Sequence, residues 1–467
     1  MRTAESYEKG NQVISTPDHE PEIPTDLNGR KTVVVGLGRS GRASARLLAS
    51  QGAEVWVTDR RPAESLSGEV ESLKDQPVRF ALGGHPESVF SGAALVVVSP
   101  GVPAESLPLS GIPVIGEVEL AFRNLPAPVI AITGTNGKST PTTLVGEILK
   151  AAGRRVFVGG NLGVPLTEAV LGGGPLDWVV AEVSSFQLET IRTFRPKIAA
   201  LLNLTPNHLD RYKGLSDYTR AKLRIFSNQK EEDWAVLNHD NPVPGLNRAH
   251  LRSRVVSIGR IRRPPKGVWL EGDRLISNLD GLQEVITRTG ILLRGVHNLE
   301  NAMAAIALGQ LAGCPMEPIR TALRTFSGLE HRLEVVGTRG GVAYINDSKA
   351  TTVAATASAL CSFNEPVILI AGGQDKGMSF ISLKPLVSKK ARAVILIGES
   401  RERIRKNLEG DVPIHEAGSL REAVETAVRM ARPGGVVLLS PGCSSFDMFR
   451  DFEDRGRQFK ALVAEMS

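Results

Sequence analysis

Short apolar runs alternate with helical patterns along the whole chain, and they form three groups. The first group starts with an apolar run at residues 31–36, which leads into a glycine-rich turn. A helical pattern then ends near Gln51 and is followed by a second apolar run at residues 54–58. Strand, helix and strand in this order predict a βαβ unit. Two further strand-like runs, at residues 94–99 and 112–115, complete the group.

The second group follows a proline-rich linker at residues 126–128, where a new apolar run at 129–133 leads into another glycine-rich segment. Its later elements are two strand-like runs, at 178–181 and 198–204, and an alanine-rich helical pattern at 297–311. The third group begins near Gly328 and alternates again between strand-like and helical stretches. Its strand-like runs lie at residues 342–345, 367–371, 394–397 and 436–439.

These alternations predict an α/β protein with mostly parallel sheets in three domains. The expected folds are Rossmann-like at the N-terminus, P-loop ATPase-like in the centre and Rossmann-like at the C-terminus. The predicted limits are a flexible leader at 1–28, a nucleotide-substrate domain at 29–125, an ATP-binding domain at 126–328 and a C-terminal domain at 329–467.

Composition narrows the functional class. The 467 residues are 42% hydrophobic and carry a formal net charge of +6, which favours attraction of small anions. Aromatic residues make up only 5%, and no Lys/Arg run resembles a basic arm, so a nucleic-acid partner is not expected. The three cysteines lack metal-site spacing and fit a reducing cytoplasm, where we expect a monomer. No window is apolar enough to insert into a membrane.

The glycine-rich segment after the run at 129–133 gives the strongest chemical signal. It reads Gly134-Thr135-Asn136-Gly137-Lys138-Ser139-Thr140. Glycines allow backbone N–H groups to converge on phosphate oxygens at a helix N-terminus, and the lysine can neutralise the β- and γ-phosphates. The serine hydroxyl is a typical Mg²⁺ ligand. An ordinary strand-to-helix turn is the alternative, and the preceding strand favours phosphate binding.

The turn Gly36-x-Gly38-x-x-Gly41, with Asp59 after the next strand, is typical of dinucleotide binding. Because a separate ATP loop exists, a different phosphorylated nucleotide is favoured over NAD, and a purely structural turn stays open. In that interpretation the Ser40 hydroxyl donates to a pyrophosphate, and Asp59 accepts from a ribose or a base.

Two further polar positions follow strands of the second group. Glu182 directly follows the apolar run at 178–181. An acidic residue at the end of a parallel strand beside a P-loop is well placed to bind magnesium. His208 and Asp210 lie on the loop after the run at 198–204. A solvated strand-end glutamate and a structural histidine are the alternatives. In the third group, polar turns at 346–351, 372–377 and 440–445 follow strands, and two of them carry lysine, which favours an anionic substrate.

Together these segments resemble the Mur ligase family of bacterial cell-wall precursor synthesis, from about residue 31 to the C-terminus. The matching segments are 134–140, 182–188, 208–212 with 221–223, 297–302, 330–332, 346–351 and 440–446. The P-loop form is shared across the family, including enzymes that polyglutamylate folate. The segments at 346–351 and 440–446 resemble the D-glutamate-adding branch.

The resemblance implies an ADP-forming ligase that uses ATP and two Mg²⁺ ions, converts UDP-N-acetylmuramoyl-L-alanine to an acyl phosphate and joins D-glutamate to it. The implied catalytic residues are Lys138, His208 and Lys222. The implied ATP contacts are Gly134, Thr135, Asn136, Gly137, Lys138, Ser139, Thr140, Asn298, Asn301, Arg332 and Asp347. The implied contacts to the UDP-linked substrate are Gly36, Gly38, Ser40, Gly41, Asp59 and Asn161, and those to the amino acid are Lys349, Thr351, Lys376, Ser445 and Phe452. The implied metal ligands are Ser139, Glu182, His208 and Lys222, the last as a carbamate.

Three alternatives stay open at this point. A sister ligase of the Mur or folylpolyglutamate type would add another amino acid. A nicotinamide-dependent oxidoreductase would use the turn at residues 36–41. A non-catalytic nucleotide-binding regulator would bind ATP without turnover, and the combination of Lys138, Glu182, His208 and Lys222 argues against it.

Overall fold

The computed structural model describes residues 21–207, 211–293, 295–375, 377–410 and 412–466, without the side chains of residues 296 and 297. The fold consists of two compact units. The first comprises the chain up to Thr287 together with Glu300–Ala322, and the second comprises Arg288–Leu299 together with the chain from Leu323 onward.

The first unit begins with a five-stranded sheet in the order β3-β2-β1-β4-β5, in which every pairing is parallel. Sequence order reverses between β1 and β4, which is the position where parallel α/β sheets bind ligands. The elements are β1 (Lys31–Val35), α1 (Arg39–Ser50), β2 (Glu54–Asp59), α2 (Ser67–Glu71), β3 (Val78–Leu82), α3 (Glu87–Phe90), β4 (Leu95–Val98), β5 (Val114–Gly116) and α4 (Glu117–Asn124).

A nine-stranded sheet forms the rest of the first unit, in the order β14-β13-β12-β11-β10-β9-β6-β8-β7. It is parallel from β7 through β12, and β12, β13 and β14 pair antiparallel. Its strands are β6 (Val129–Thr133), β7 (Val156–Gly160), β8 (Trp178–Glu182), β9 (Ile198–Leu201), β10 (Trp234–Asn238), β11 (Arg254–Gly259), β12 (Gly267–Glu271), β13 (Arg274–Ser277) and β14 (Gln283–Thr287). The helices along this part of the chain are α5 (Ser139–Ala151), α6 (Thr167–Leu171), α7 (Ser185–Leu188) and α8 (Leu215–Leu223), followed by α9 (Val296–Leu311) and α10 (Met316–Thr325).

The second unit contains a six-stranded sheet in the order β15-β16-β20-β17-β18-β19, parallel except where β15 pairs with β16. Its strands are β15 (Glu334–Arg339), β16 (Val342–Asn346), β17 (Val367–Gly372), β18 (Ala391–Ile397), β19 (Ile414–Glu416) and β20 (Val436–Leu439). Its helices are α11 (Val353–Cys361), α12 (Lys384–Lys390), α13 (Arg401–Leu408), α14 (Leu420–Met430) and α15 (Phe452–Glu465).

The architecture confirms the predicted fold class, since three mostly parallel α/β sheets follow one another along the chain. The central strands are apolar on both faces because helices cover both sides of each sheet, as in β6, whose five residues are all buried. The three sheets draw their strands from 31–116, 129–287 and 334–439. The domain limits chosen from the sequence stay a prediction.

Residues 21–28 differ from the expectation of a flexible leader that reaches Asn28. Ile23 and Leu27 are each only 8% exposed and pack into the core around the first sheet. The Pro21 carbonyl also accepts a hydrogen bond from the Arg192 guanidinium at 2.8 Å. Apolar burial therefore fixes this segment against the body of the first unit. The rest of the predicted leader lies outside the described residues.

Among the described residues, no helix combines the length and the apolar character needed to cross a lipid bilayer.

Candidate functional site

The loop between β6 and α5 forms a backbone cradle at the N-terminus of a 13-residue helix. Gly137 has φ = +75°, in the left-handed region that glycine adopts without strain. Lys138 donates from Nζ to the Thr135 carbonyl at 3.1 Å, so its side chain folds back over the loop. Ser139 and Thr140, which follow it, are buried at the first turn of α5. These features agree with the phosphate-binding loop expected from the sequence.

Asn203, two residues beyond the end of the neighbouring β9, holds this loop through three hydrogen bonds. Its backbone oxygen accepts from Thr135 N at 3.0 Å, and its side-chain oxygen accepts from Asn136 N at 2.9 Å. Its Nδ2 donates to the Asn136 carbonyl at 3.0 Å. No motif assigned a role to Asn203, because it lies inside the run at 198–204 that was predicted as one strand, whereas β9 ends at Leu201.

Glu182 ends β8 and is only 2% exposed. Its Oε1 accepts from Asn161 Nδ2 at 2.6 Å, and its backbone oxygen accepts from Asn161 N at 2.8 Å. Its Oε2 is buried and has no hydrogen-bond partner among the described residues. A buried carboxylate oxygen left unsatisfied is costly, and a bound cation removes that cost. The residues present therefore fit a divalent metal ion at this edge.

Lys222 lies on α8 and is 2% exposed. Its Nζ donates to the Gly134 carbonyl at 2.8 Å and to Thr133 Oγ1 at 3.4 Å, which places it at the base of the phosphate-binding loop. Burial, with a smaller contribution from the positive charge of Lys138 and against the opposing effect of Glu182, lowers the pKa of Lys222 to about 7. A large fraction of this amine is therefore neutral at pH 7.

The sequence-predicted carbamate needs such a neutral amine, because CO₂ adds only to the unprotonated nitrogen. Tyr218, four residues earlier on α8, packs its ring 4.9 Å from Lys222 Nζ and joins its hydroxyl to Thr135 Oγ1 at 3.1 Å. Tyr218 belongs to none of the motifs found in the sequence. Helix α8 thus approaches the loop through two side chains one turn apart.

The glycine-rich turn after β1 has the expected geometry. Gly36 has φ = +94°, and a Cβ at Gly41 would lie 1.8 Å from the Gly36 carbonyl, so only glycine fits there. Asp59 Oδ2 accepts from Leu37 N at 2.8 Å and also contacts the Arg61 guanidinium. Burial alone would raise the pKa of Asp59, but the hydrogen bonds from Arg61 and Leu37 leave it below its ordinary value. Asp59 therefore fixes the turn as an anion.

The loop after β7 contacts both the start of α1 and the end of β8. Arg39, at the start of α1, donates to the Gly163 carbonyl at 3.3 Å, and Asn161 of the same loop holds Glu182. Gly38 is exposed beside Arg39, and Ser40 is half-buried at the start of α1. Residues 161–163 therefore contact both the start of α1 and the Glu182 carboxylate.

The second unit brings the turn after β16 against the turn after β20. Asp347 accepts from Ser440 Oγ at 2.8 Å and from Leu333 N at 3.2 Å. Burial raises the pKa of Asp347 to about 7, although these hydrogen bonds and the charge of Arg332 oppose the shift. The strand-end contacts thus join the two loops that the sequence assigned to ligand binding.

Four of the five predicted amino-acid contacts are described by the structure, and they lie on the same turns and at the start of α15. Lys349 Nζ lies 4.7 Å from the centroid of the Phe452 ring. Ser445 is buried, and Thr351 is half-buried. The neighbouring Ser444 exchanges two hydrogen bonds with Gln374 after β17, at 2.9 and 3.0 Å. Three strand ends of one sheet therefore meet around these residues.

The two predicted adenine contacts lie three residues apart on α9, and both are buried. A Cβ at Gly137 would lie 3.1 Å from Asn301 Oδ1, so Asn301 lies against the phosphate-binding loop. The backbone N–H of Asn298 donates to the Gly295 carbonyl at 3.1 Å at the start of the helix. His208, Asp210 and Lys376 lie outside the described residues, so their assignments stay predictions.

Family comparisons identify the scaffold. The Mur ligase MurD-like N-terminal domain matches residues 30–116, the Mur ligase middle domain matches 132–309, and the Mur ligase glutamate ligase domain matches 331–443. The UDP-N-acetylmuramoylalanine–D-glutamate ligase of Geobacter metallireducens is 47% identical over 443 residues, covering 94% of this chain and 98% of that protein. The chain belongs to the Mur ligase family.

Other relatives of this Mur ligase carry the same name. The protein of Pelotomaculum thermopropionicum is 46% identical over 449 residues, covering 94% of this chain and 99% of its own. The protein of Trichlorobacter lovleyi is 46% identical over 446 residues, covering 94% of this chain and 100% of that protein.

Solved structures share the fold at lower identity. The UDP-N-acetylmuramate-alanine ligase MurC of Thermotoga maritima superposes with a TM-score of 0.60 at 21% identity, covering 94% of this Mur ligase and 100% of that chain. MurF of Acinetobacter baumannii superposes with a TM-score of 0.58 at 15% identity, covering 96% and 92%.

Proposed function

We infer that this Mur ligase catalyses the ATP-dependent addition of D-glutamate to UDP-N-acetylmuramoyl-L-alanine in peptidoglycan precursor synthesis. The observation that carries this inference is the 44–47% identity to eight ligases of that name over at least 94% of the chain. The phosphate-binding loop, Glu182 and Lys222, grouped at one sheet edge, supply the chemistry that such a reaction needs.

The reaction needs an activated carboxyl group, because a carboxylate has no good leaving group for an amine to displace. We propose that a carboxylate oxygen of UDP-N-acetylmuramoyl-L-alanine attacks the γ-phosphorus of ATP and releases ADP. The amine of D-glutamate then attacks the acyl carbon and loses a proton, and phosphate leaves from the tetrahedral intermediate with that carboxylate oxygen. The protein contributes mainly orientation and charge stabilisation.

The loop at Gly134–Thr140 is proposed to hold the triphosphate. Its backbone N–H groups and the N-terminus of α5 favour the phosphate oxygens, and Lys138 lies over the loop where it can neutralise the γ-phosphate. Asn301, beside Gly137, is proposed to lie near the adenine together with Asn298. Arg332 and Asp347 are proposed to lie near the ribose and phosphates.

Mg²⁺ is proposed to bind Ser139 and Glu182 at one site, and His208 with the carbamate of Lys222 at a second. Two Mg²⁺ ions would reduce the repulsion between the carboxylate and the triphosphate. The unsatisfied Glu182 Oε2 and the low pKa of Lys222 support the assignment. The Asn161 amide holds the other oxygen of Glu182 and so orients the carboxylate.

The UDP-linked substrate is proposed to bind at the turn Gly36–Gly41, with the contact at Gly163 leading toward Asn161. D-glutamate is proposed to bind Lys349, Thr351, Lys376, Ser445 and Phe452 in the second unit. We further propose that the enzyme works as a monomer in the cytoplasm, where ATP is available. Light scattering on the purified protein tests the monomer.

The test supplies the enzyme with ATP, Mg²⁺, UDP-N-acetylmuramoyl-L-alanine and one amino acid at a time from a panel. Phosphate release is measured, and the product is identified by mass spectrometry. Phosphate release with D-glutamate, and not with L-glutamate, L-alanine or L-lysine, is expected. Preference for another amino acid would assign a sister activity instead. Lys138→Ala should abolish phosphate release. The control Lys150→Ala should leave phosphate release intact, because Lys150 lies at the other end of α5 and forms a surface ion pair with Glu147.

A further inference from the structure

Arg455, on α15, is the most deeply buried cation around the proposed amino-acid site, with 0% of its surface exposed. Its Nε donates to Ser348 Oγ at 2.9 Å, and one terminal nitrogen donates to the Ser348 carbonyl at 2.8 Å and to the Cys443 carbonyl at 3.1 Å. One planar fork therefore joins the turn after β16 to the turn after β20.

The positive charge of Arg455 lacks a carboxylate within ion-pair distance among the described residues. Its other terminal nitrogen has no hydrogen-bond partner there and lies toward Gly373, where a Cβ would be 3.2 Å away. Asp447 favours the charged form, but only from beyond ion-pair distance. Burial lowers the pKa of Arg455 to about 10, so the group stays protonated at neutral pH. Such a buried charge is expensive unless something compensates for it.

The position of Arg455 indicates that the carboxylates of a bound amino acid compensate for its charge. Ser348 directly precedes Lys349, and Cys443 lies two residues before Ser445. Phe452 lies three residues earlier on α15, one helical turn away on the same side. Three of the residues proposed to bind D-glutamate, Lys349, Ser445 and Phe452, therefore lie on or beside the loops that Arg455 holds, and D-glutamate brings two carboxylates.

We propose that Arg455 is a positioning and specificity residue, which fixes the two amino-acid-binding turns and supplies a buried positive potential that favours a dicarboxylic amino acid over its neutral analogue. This inference rests on the proposed function. It requires no direct contact between the guanidinium and the amino acid, because a charge in a poorly solvated interior acts over several ångströms.

The test compares Arg455→Met, which removes the charge at similar length, with Arg455→Lys, which keeps the charge and loses the fork. Preference is measured as the inhibition constant of D-glutamine divided by the KM of D-glutamate, with the KM of ATP recorded alongside. We expect preference to fall by about tenfold or more in Arg455→Met, in line with the loss of one buried charge. Arg455→Lys should keep most of the preference and lower kcat. The control Arg405→Met removes an exposed arginine paired with Glu416 and should change neither quantity.

If Arg455 has a purely structural role, Arg455→Met should raise the KM of D-glutamate and the inhibition constant of D-glutamine by the same factor. That outcome would overturn the inference. If Arg455→Met fails to fold by circular dichroism, Arg455→Lys decides: loss of its preference for D-glutamate overturns the proposal, and retention supports it. The wild type is measured in the same assay. Wild-type enzyme that does not use D-glutamate rejects the proposed function, whereas normal wild-type turnover with unchanged variant preference rejects only the role of Arg455.

Discussion

Lys222 and Glu182 are the side chains whose surroundings say most about the chemistry of the central sheet. Each is 2% exposed. Lys222 donates to the Gly134 carbonyl of the phosphate-binding loop, and Glu182 lies opposite Ile132 on the strand that leads into the loop. The strand-end position of Glu182 already suggested a metal ligand, whereas the role of Lys222 was implied only by the resemblance to a family. The low pKa of Lys222 and the unsatisfied oxygen of Glu182 depend on packing, which the local pattern of the chain does not encode.

Lys222→Ala tests the carbamate. The substitution should lower D-glutamate-dependent phosphate release by about a hundredfold or more, because it removes a ligand group beside the developing charge. Short carboxylic acids such as acetate or formate should restore part of the activity by occupying the vacated space. The control Lys213→Ala removes an exposed lysine near the start of α8 and should have no effect. Complete lack of rescue at high acid concentration would argue against a carboxylate-like role.

The same lysine predicts a pH dependence. Its pKa of about 7 lies below the ordinary value of 10.5, so the amine gains a proton as the pH falls through 7. A protonated amine does not add CO₂. Activity should therefore fall between about pH 8 and pH 6 and should be higher in bicarbonate buffer than in CO₂-free buffer at the same pH. Identical profiles in the two buffers would contradict this reasoning.

Glu182→Gln keeps an oxygen for the Asn161 amide and removes the negative charge. We expect the half-activating Mg²⁺ concentration to rise by about tenfold or more, because a carboxylate binds Mg²⁺ far better than an amide does. Thermal unfolding measured beside the assay should show a folded protein. Glu147→Gln, on the exposed face of α5, serves as the control. An unchanged half-activating Mg²⁺ concentration in Glu182→Gln would show that Glu182 is not a Mg²⁺ ligand.

At the scale of elements, both glycine-rich turns follow directly from sequence. The apolar runs end at Val35 and Thr133, and helices begin at Arg39 and Ser139, because the glycines permit a sharp strand-to-helix turn. Contacts between elements that are distant in sequence were not predictable. Glu117 at the start of α4 accepts hydrogen bonds from the Thr167 amide and hydroxyl of α6, at 2.7 and 3.0 Å.

This contact between α4 and α6 gives a stability prediction. Burial raises the pKa of Glu117 from 4.5 to about 7, while the Thr167 hydrogen bonds oppose the shift and the charge of Glu168 adds to it. Between pH 4.5 and pH 7 the folded state binds the extra proton, so the wild type loses stability as pH rises through this window. Glu117→Gln does not titrate and should gain stability relative to the wild type, by about 1–3 kcal/mol above pH 7.

Urea unfolding at several pH values measures this difference. The two proteins should differ least at pH 4 and most at pH 8. A constant difference across the range would show that Glu117 has the same proton affinity in the folded and unfolded chains. Glu87→Gln, at the exposed start of α3, is the control.

At the scale of the whole molecule, sequence predicted three α/β sheets and most of their central strands, because buried parallel strands are continuous apolar runs. It missed the extension of the central sheet from β10 to β14, although β10 and β11 are mostly buried apolar strands like the ones it predicted. The hairpins β12–β13 and β13–β14 are partly exposed and carry charged residues such as Arg274 and Glu284, so their apolar signal is weak. The site itself could be named from motifs, but Asn203, Tyr218 and Arg455 emerged only from packing.

The central claim is that the substrate carboxylate is activated by direct phosphoryl transfer from ATP. UDP-N-acetylmuramoyl-L-alanine labelled with ¹⁸O in its carboxylate tests this claim most directly, with mass spectrometry of the phosphate released in the presence of D-glutamate. Transfer through an acyl phosphate predicts one ¹⁸O atom in each phosphate released. Release of unlabelled phosphate together with the amide product would contradict it, because the displaced ¹⁸O would then have left the carboxyl group by another route.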